Sequence, residues 1–333
     1  MRAVLRVVFS GSAPIEAPNV CRGPASYLEM AANCMFGIDL LSALCFSVAA
    51  LGQTTASLGP VPGELIDVYG HKLHIHCVGP DDARPIVILE AGGGGFSKDW
   101  SAVETLLASD IRTCAYDRAG LGWSEPGPAP RTLKQEVFEL HTLLKLAKLL
   151  PPFIMVGQSI GALDVRLYTK QYPNDVAGIA LIDPTDESST LYSLTAKRWI
   201  KLRELARGRA VPPVRTSGPA STGYNPEDDY LGDEAQLLYF DRLKNPRPLD
   251  DRPLLVLAAG KRPPPPGMTE ESYKDIRRAN DEYRREQAHF STNSRFIVDA
   301  NSGHNIQTED PKAVADVIRD VVKAVQQHAR LAK

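Results

Sequence analysis

Short apolar runs recur along the chain, and polar or amphipathic stretches separate them. The runs occupy residues 87–89, 153–156, 178–182, 254–259 and 296–298. Continuous runs of this length are typical of strands that are buried on both faces of a parallel sheet. Residues 162–170 have the composition of a helix, and residues 268–290 predict a charged helix between the last two strands. The pattern therefore predicts an α/β protein in which strands and helices alternate.

The alternation stops between Asp183 and Pro253, and an inserted lid over residues 184–252 is predicted there. Residues 188–208 predict a helix with an apolar stripe, and residues 234–243 predict a second, shorter helix. Residues rich in Gly and Pro separate the two. An apolar lid would exclude water from a site beneath it and could bind acyl or alkyl groups.

Residues 1–56 are predicted to be an extension, and residues 57–330 a single globular domain. The most apolar stretch is residues 35–52, and its part from Ile38 to Gly52 has the length of a signal-peptide core and is short for a membrane span. Two alternatives stay open: export, with this segment removed or kept as a membrane anchor, and a cytoplasmic protein with a docked tail. A true start at Met30 or Met35 would account for the long stretch that precedes the apolar segment.

Composition excludes several classes of function. The chain has 333 residues, 43% of them hydrophobic, and its 38 Lys and Arg against 40 Asp and Glu give a formal net charge of −2. The charges are mixed along the chain, which argues against a nucleic-acid partner. Neither a Gly-rich loop ending in Gly-Lys-Ser/Thr nor a G-x-G-x-x-G follows the first apolar run, which argues against a nucleotide.

Ser159 lies at the centre of a G-x-S-x-G pentapeptide, Gly157 to Gly161, between an apolar run and a helix-like stretch. A strand and a helix this close must be joined by a very tight turn, and the two glycines leave room for it. Such a turn exposes the serine hydroxyl and directs the Ile160 backbone N–H toward the same point. The pattern predicts that Ser159 is a catalytic nucleophile.

His304 is the candidate base among the seven histidines. It follows the last predicted strand, residues 294–300, in a loop that could reach across the end of a parallel sheet. The other histidines lie in helical or hairpin-like segments. The spacing of His74 and His76 would suit a metal, but a strand face is favoured because no cysteine or carboxylate cluster lies near them in the sequence.

These motifs, in this order, resemble the α/β-hydrolase family of the lid-bearing, single-domain kind. Residues 87–100 are similar to the strand and Gly-rich loop that carries an oxyanion donor, which would be Gly93 here. Residues 116–124, Tyr-Asp-Arg-Ala-Gly-Leu-Gly-Trp-Ser, resemble a structural turn of the family. The resemblance implies a mostly parallel, eight-stranded twisted sheet flanked by helices, with a helical lid after the sixth strand. One departure is Ala91, which stands where many members have His and removes a supporting side chain.

The acid of the implied triad is not at the family's usual position. The strand before the usual position is followed by Lys-Arg-Pro-Pro-Pro-Pro-Gly, which has no carboxylate. Some members take the acid from the strand after the nucleophile helix, and that strand ends here in Asp183. Asp183 is therefore predicted as the acid, and the alternatives, in order, are Asp186, Glu187 and Asp275.

Cys77 and Cys114 lie in two strands that the resemblance makes neighbours. A disulfide between them would follow export. Buried free thiols are the favoured expectation.

The resemblance implies hydrolysis of a carboxylic ester through an acyl-enzyme, with no metal or organic cofactor. Ser159 would attack, His304 would accept its proton, and the N–H groups of Gly93 and Ile160 would bind the oxyanion. The expected partner is a small ester-like molecule with an apolar acyl or alkyl part. Three alternatives stay open: an amidase or aminopeptidase, an enzyme of C–C hydrolysis or cofactor-free peroxidation, and a non-catalytic receptor for a small ligand. Serine at this position argues against dehalogenase or epoxide hydrolase chemistry, which uses Asp there in related members.

Overall fold

A sheet of eight strands forms the centre of the protein, whose computed structural model describes residues 58–129, 131–187, 235, 237–264 and 267–331. Residues 56–264 and 269–333 form one compact unit. A second unit, residues 1–55 with 265–268, lies almost entirely outside the described residues. The predicted extension over residues 1–56 and its apolar segment fall outside them too. Within the described ranges, no helix combines the length and apolar character needed to span a membrane.

The sheet is mostly parallel, as predicted. Its strands are β1 Glu64–Asp67, β2 Lys72–Val78, β3 Ile86–Glu90, β4 Thr113–Tyr116, β5 Phe153–Gln158, β6 Val176–Ile182, β7 Leu254–Ala259 and β8 Ser294–Asp299. They lie in the order β1-β2-β4-β3-β5-β6-β7-β8. Strand β2 pairs antiparallel with β1 and β4, and the other pairs are parallel.

Helices cover both faces of this sheet. Their bounds are α1 Ser101–Leu107, α2 Leu133–Leu146, α3 Gly161–Gln171, α4 over residues 237–244, α5 Glu270–Gln287, α6 Ile306–Glu309 and α7 Pro311–Gln326. Successive strand residues point to opposite faces, so each apolar run supplies both layers of core. Ile88 packs with residues of α2 and α3, whereas Val87 and Leu89 pack with residues of α1 and α7.

The predicted lid lies largely outside the described residues, which include neither its first helix, 188–208, nor the loop after it. Helix α4 corresponds to the second predicted lid helix. The charged helix predicted over residues 268–290 is α5, and Thr269 caps its first turn by accepting a hydrogen bond from the Ser272 N–H at 3.2 Å. The lid insertion as a whole stays a prediction.

Cys77 and Cys114 form a disulfide, so the favoured expectation of free thiols is wrong. The two residues are directly opposite each other in the antiparallel pair of β2 and β4, with Cα atoms 4.0 Å apart. Opposed residues in such a pair bring their side chains close together. The family resemblance implied neighbouring strands, but the pairing of these two cysteines depends on a register that the sequence does not reveal.

We expect replacement of both cysteines, Cys77→Ala with Cys114→Ala, to lower the free energy of unfolding by roughly 2–4 kcal/mol, because the unfolded chain loses a covalent constraint. Urea denaturation of the full chain checks this. Reductant should destabilise the unsubstituted protein and leave the double variant unchanged. Two free thiols in a non-reducing peptide map would contradict the disulfide.

Candidate active site

Ser159 lies in the turn between β5 and α3, with a left-handed backbone (φ 54°). This conformation is costly for a residue with a side chain and persists only where the surroundings enforce it. The turn is very close-packed: a Cβ added to Gly157 would lie 2.5 Å from the Gly161 carbonyl oxygen, and one added to Gly161 would lie 2.6 Å from that of Ala91. Glycine is therefore required at both positions, as the pentapeptide predicts.

The hydrogen bonds of the turn tie it to the end of the neighbouring strand. The Ser159 N–H donates to the Ile182 carbonyl at 3.1 Å, and the Ser159 carbonyl accepts from the Thr185 N–H at 2.9 Å. Both partners flank Asp183 in the sequence. The position of Ser159 is therefore coupled through the backbone to the position of Asp183.

His304 lies in the loop between β8 and α6, and its ring joins Ser159 to Asp183. Its Nε2 lies 2.9 Å from the Ser159 Oγ, and its Nδ1 lies 2.6 Å from the Asp183 Oδ2. Gln158, the residue before the serine, donates from its side-chain nitrogen to the His304 carbonyl at 3.0 Å. About half of the His304 side chain, 52%, is exposed, whereas Asp183 is fully buried. A hydrogen-bonded chain thus runs from a buried carboxylate to an accessible hydroxyl.

Asp183 follows β6 and is also left-handed, with φ 40°. Its Oδ1 accepts from the Ala259 N–H at 3.0 Å and forms ion pairs with Arg262 and with the Nε of Arg284, the latter at 3.0 Å. Burial alone would raise the pKa of Asp183. The hydrogen bond with His304, the charges of Arg284 and Arg262 and the Ala259 N–H together lower that pKa below its ordinary value.

The alternative acids lie elsewhere. Asp186 is 3.3 Å from Arg242, and Glu187 forms a bidentate pair with Arg166. Asp275 lies on α5 and pairs with Arg278, with both side chains largely exposed.

The predicted oxyanion loop lies against the nucleophile turn. A Cβ added to Gly92 would lie 3.2 Å from the Ser159 Cβ, and one added to Gly93 would lie 3.6 Å from the Ile160 Cγ2. Ile160 is the N-cap residue of α3. Among the described residues, none accepts a backbone hydrogen bond from the N–H of Gly93 or of Ile160. Both donors are therefore available to a ligand.

Sequence reasoning missed several charged residues of this site. Arg262 comes from the segment after β7, where the family's acid would usually stand, and Arg284 comes from α5. The only sequence signal was the missing carboxylate after β7.

His74 and His76, expected on a strand face, lie on β2 with carboxylate neighbours, Asp117 at 3.0 Å and Glu104 at 3.4 Å. In the described part of the chain, no group of three or more His, Cys, Asp or Glu side chains could hold a metal ion.

The sequence profile of the alpha/beta hydrolase family matches residues 86–317, more than half of the chain. The chain belongs to the alpha/beta hydrolase family. It is 28% identical over 243 residues to the uncharacterized protein YqjL of Bacillus subtilis, covering 73% of this chain and 85% of that protein.

Solved structures share the fold of this alpha/beta hydrolase. The enol-lactonase of Burkholderia xenovorans aligns with a TM-score of 0.52 and 17% identity, over 78% of this chain and 100% of that one. The haloalkane dehalogenase DbeA of Bradyrhizobium elkani aligns with a TM-score of 0.55 and 17% identity, over 80% and 99%. At these identities the likeness concerns the fold alone.

We expect Asp183→Asn to lower the free energy of unfolding by roughly 3 kcal/mol at neutral pH, because Arg262 and Arg284 keep buried charges without their shared carboxylate. Since folding lowers the pKa of Asp183, its stabilising contribution is present above the ordinary value of 3.8 and is lost as the pH falls through the lower, folded-state pKa. The difference between variant and unsubstituted protein should therefore shrink in acid. Chemical denaturation between pH 3 and pH 7 measures it.

The matched control is Asp281→Asn. Asp281 pairs with the same Arg262 at 3.3 Å, but 46% of its side chain is exposed. Its loss should cost less than about 1 kcal/mol. Equal effects of the two substitutions would contradict the account of the buried pair.

Proposed function

We propose that this alpha/beta hydrolase is a serine hydrolase of carboxylic esters, with Ser159 as nucleophile, His304 as general base and acid, and Asp183 as the triad acid. One observation carries the proposal: both ring nitrogens of His304 are engaged, at 2.9 Å from the Ser159 Oγ and at 2.6 Å from the Asp183 Oδ2. The order along the chain, serine, then acid, then histidine, is that of the family.

In the first half-reaction, the Ser159 Oγ attacks the ester carbonyl carbon while the His304 Nε2 accepts the hydroxyl proton. The carbon–alkoxide bond then breaks, and His304 returns the proton to the departing alcohol. In the second half-reaction, water attacks the acyl-serine and passes its proton to His304, and collapse of the intermediate releases the acid and restores Ser159.

Asp183 would act through His304. By accepting from the Nδ1–H, the carboxylate keeps the Nε2 lone pair directed at Ser159 and stabilises the imidazolium that forms during attack. Its lowered pKa keeps it ionised at neutral pH. Arg262 and Arg284 pair with its second oxygen, so both oxygens of the carboxylate have partners that restrain its orientation.

The oxyanion would be bound by the N–H groups of Gly93 and Ile160. Two converging backbone donors stabilise the negative charge that develops on the carbonyl oxygen. The free N–H at the start of α3 adds the favourable field of a helix N-terminus. The proposal needs no metal or organic cofactor.

The proposed substrate is a small ester with an apolar acyl or alkyl part. Helix α4, within the predicted lid, exposes three large apolar side chains: Leu237, Phe240 and Leu243. Apolar side chains exposed together on one helix are typical of a surface that binds an apolar ligand. Amide hydrolysis, C–C hydrolysis and ligand binding without turnover are alternatives of the same site.

We also infer that the protein works in an oxidising compartment, as export would provide. The Cys77–Cys114 disulfide supports this inference, because structural disulfides persist mainly outside the reducing cytosol.

We expect the full chain to hydrolyse p-nitrophenyl esters, and Ser159→Ala or His304→Ala to lower kcat by about 10⁴-fold or more. Asp183→Asn should lower it by roughly 10³- to 10⁴-fold, since the histidine loses its preferred tautomer. A panel from acetate to long-chain esters, with matched p-nitroanilides, separates ester from amide hydrolysis and gives the size of the acyl site.

Exposed residues of the same types serve as controls: Ser109→Ala, His328→Ala and Asp275→Asn should retain full activity. Equal turnover by the unsubstituted protein and by Ser159→Ala would refute the proposed function.

A further inference from the structure

We propose that Arg118 is the positioning residue of the oxyanion site: its guanidinium holds the Gly92 carbonyl and thereby directs the Gly93 N–H toward the substrate. The inference rests on the proposed ester hydrolysis. It assigns a role in catalysis to a motif, residues 116–124, that the sequence alone indicated only as architecture.

Within the oxyanion loop, one hydrogen bond closes a turn: the Gly95 N–H donates to the Gly92 carbonyl at 3.1 Å. Ala91 stands where many family members have His, and Gly92 to Gly95 have no side chains to hold the loop. Glycine peptides have broad conformational freedom, so a loop held by this one hydrogen bond would still sample several directions of its N–H groups. Further contacts from another part of the protein are therefore needed to fix the direction of the Gly93 N–H.

Arg118 meets this need from the end of β4. Its side chain is nearly buried, and its Nη1 donates to the Ala91 carbonyl at 2.6 Å. Its Nη2 donates to the Gly92 carbonyl. The planar guanidinium thus binds two successive carbonyl groups of the loop with two of its nitrogens, which a lysine amine could not do with the same geometry.

The link from Arg118 to the oxyanion is the peptide unit between Gly92 and Gly93. The C=O and the N–H of a trans peptide are coplanar and point in opposite directions. A guanidinium that holds the Gly92 oxygen therefore also sets the direction of the Gly93 N–H. The Gly93 N–H has no backbone acceptor among the described residues, and it points away from Arg118.

Carboxylates hold the guanidinium in turn. Glu90, buried at the end of β3, pairs with the Arg118 Nη1 and accepts a hydrogen bond from the Tyr116 hydroxyl. Asp164 and Glu136 each lie 3.9 Å from Arg118. Burial would lower the pKa of Arg118, but these carboxylates raise it, so its charge is permanent.

Asp164 links Arg118 to the helix that follows Ile160 through an ion pair at 3.9 Å. It lies in the first turn of α3, the helix that begins directly after Ile160. Arg118 therefore contacts the loop that carries Gly93 and, through Asp164, the helix that carries Ile160. One buried cation would keep both N–H groups at a constant separation, which preorganised oxyanion binding requires.

The test compares Arg118→Met and Arg118→Lys with Arg166→Met in the full chain. Arg166 is the matched control, because it is an equally buried arginine paired with Glu187 and does not contact the loop. We measure kcat and KM for p-nitrophenyl acetate, the inhibition constant of a trifluoromethyl ketone, whose serine adduct carries an oxyanion, and the free energy of unfolding.

We expect Arg118→Met to lower kcat by roughly 10²-fold, the usual effect of losing one oxyanion donor, with KM changed only a few-fold. Affinity for the trifluoromethyl ketone should fall by a similar factor. Arg118→Lys should be intermediate. Arg166→Met should lose stability and keep kcat and ketone affinity. If Arg118→Met does not fold, Arg118→Lys and Glu90→Gln, which removes the buried charge that pairs with the guanidinium, provide the same comparison.

Two results would overturn the inference while leaving the ester hydrolase intact: kcat for Arg118→Met equal to that of Arg166→Met, or a lower kcat with unchanged ketone affinity. An unsubstituted protein without ester turnover would overturn the inference together with the proposed function.

Discussion

The site depends on one buried carboxylate, that of Asp183. Asp183 directly follows β6, and its backbone is in the left-handed conformation. The Asp183 backbone N–H donates to the Leu257 carbonyl at 2.7 Å. Its two oxygens serve different partners: Oδ2 meets the His304 ring, and Oδ1 meets Arg262, Arg284 and the Ala259 N–H. An ionised carboxylate without such partners would be too costly to bury. The arrangement of the loops after β6, β7 and β8 thus follows from the need to satisfy this group.

A second cluster of buried charges surrounds Arg118 on the other side of Ser159. There too, each buried charge has partners of opposite charge. Buried ion pairs contribute little net stability, because desolvation offsets much of their attraction. Their benefit is geometric, since a fully paired group has a single favourable position. One cluster holds the proposed base and acid, and the other holds the loop of the proposed oxyanion donors. Ser159 lies between them in a strained turn that neither cluster alone would fix.

Local patterns were sufficient for much of the fold. Continuous apolar runs such as 153–156 and 178–182 indicated central parallel strands because every residue in them faces a core. Ser159 and His304 could be singled out because each is marked by its own flanking residues. The glycines at positions 157 and 161 indicated the nucleophile turn most directly, since the close approach of backbone atoms there excludes a Cβ.

Contacts distant in sequence could not be predicted in the same way. Asp183, Arg262 and Arg284 come from three separate elements, and mixed charges along a chain do not reveal which of them will pair. The disulfide likewise depends on the register of β2 against β4, because a register shifted by two residues would keep the same side chains on each face of the sheet. The first lid helix stays a prediction, because residues 188–208 lie outside those described.

The central claim is that Ser159 is a nucleophile activated by His304. Its most direct test is reaction of the full chain with a fluorophosphonate, followed by intact mass measurement and peptide mapping. The account predicts one adduct per chain, on Ser159, that forms quickly in the unsubstituted protein and very slowly in His304→Ala. No adduct, an adduct on another residue, or equal rates in the two proteins would contradict it.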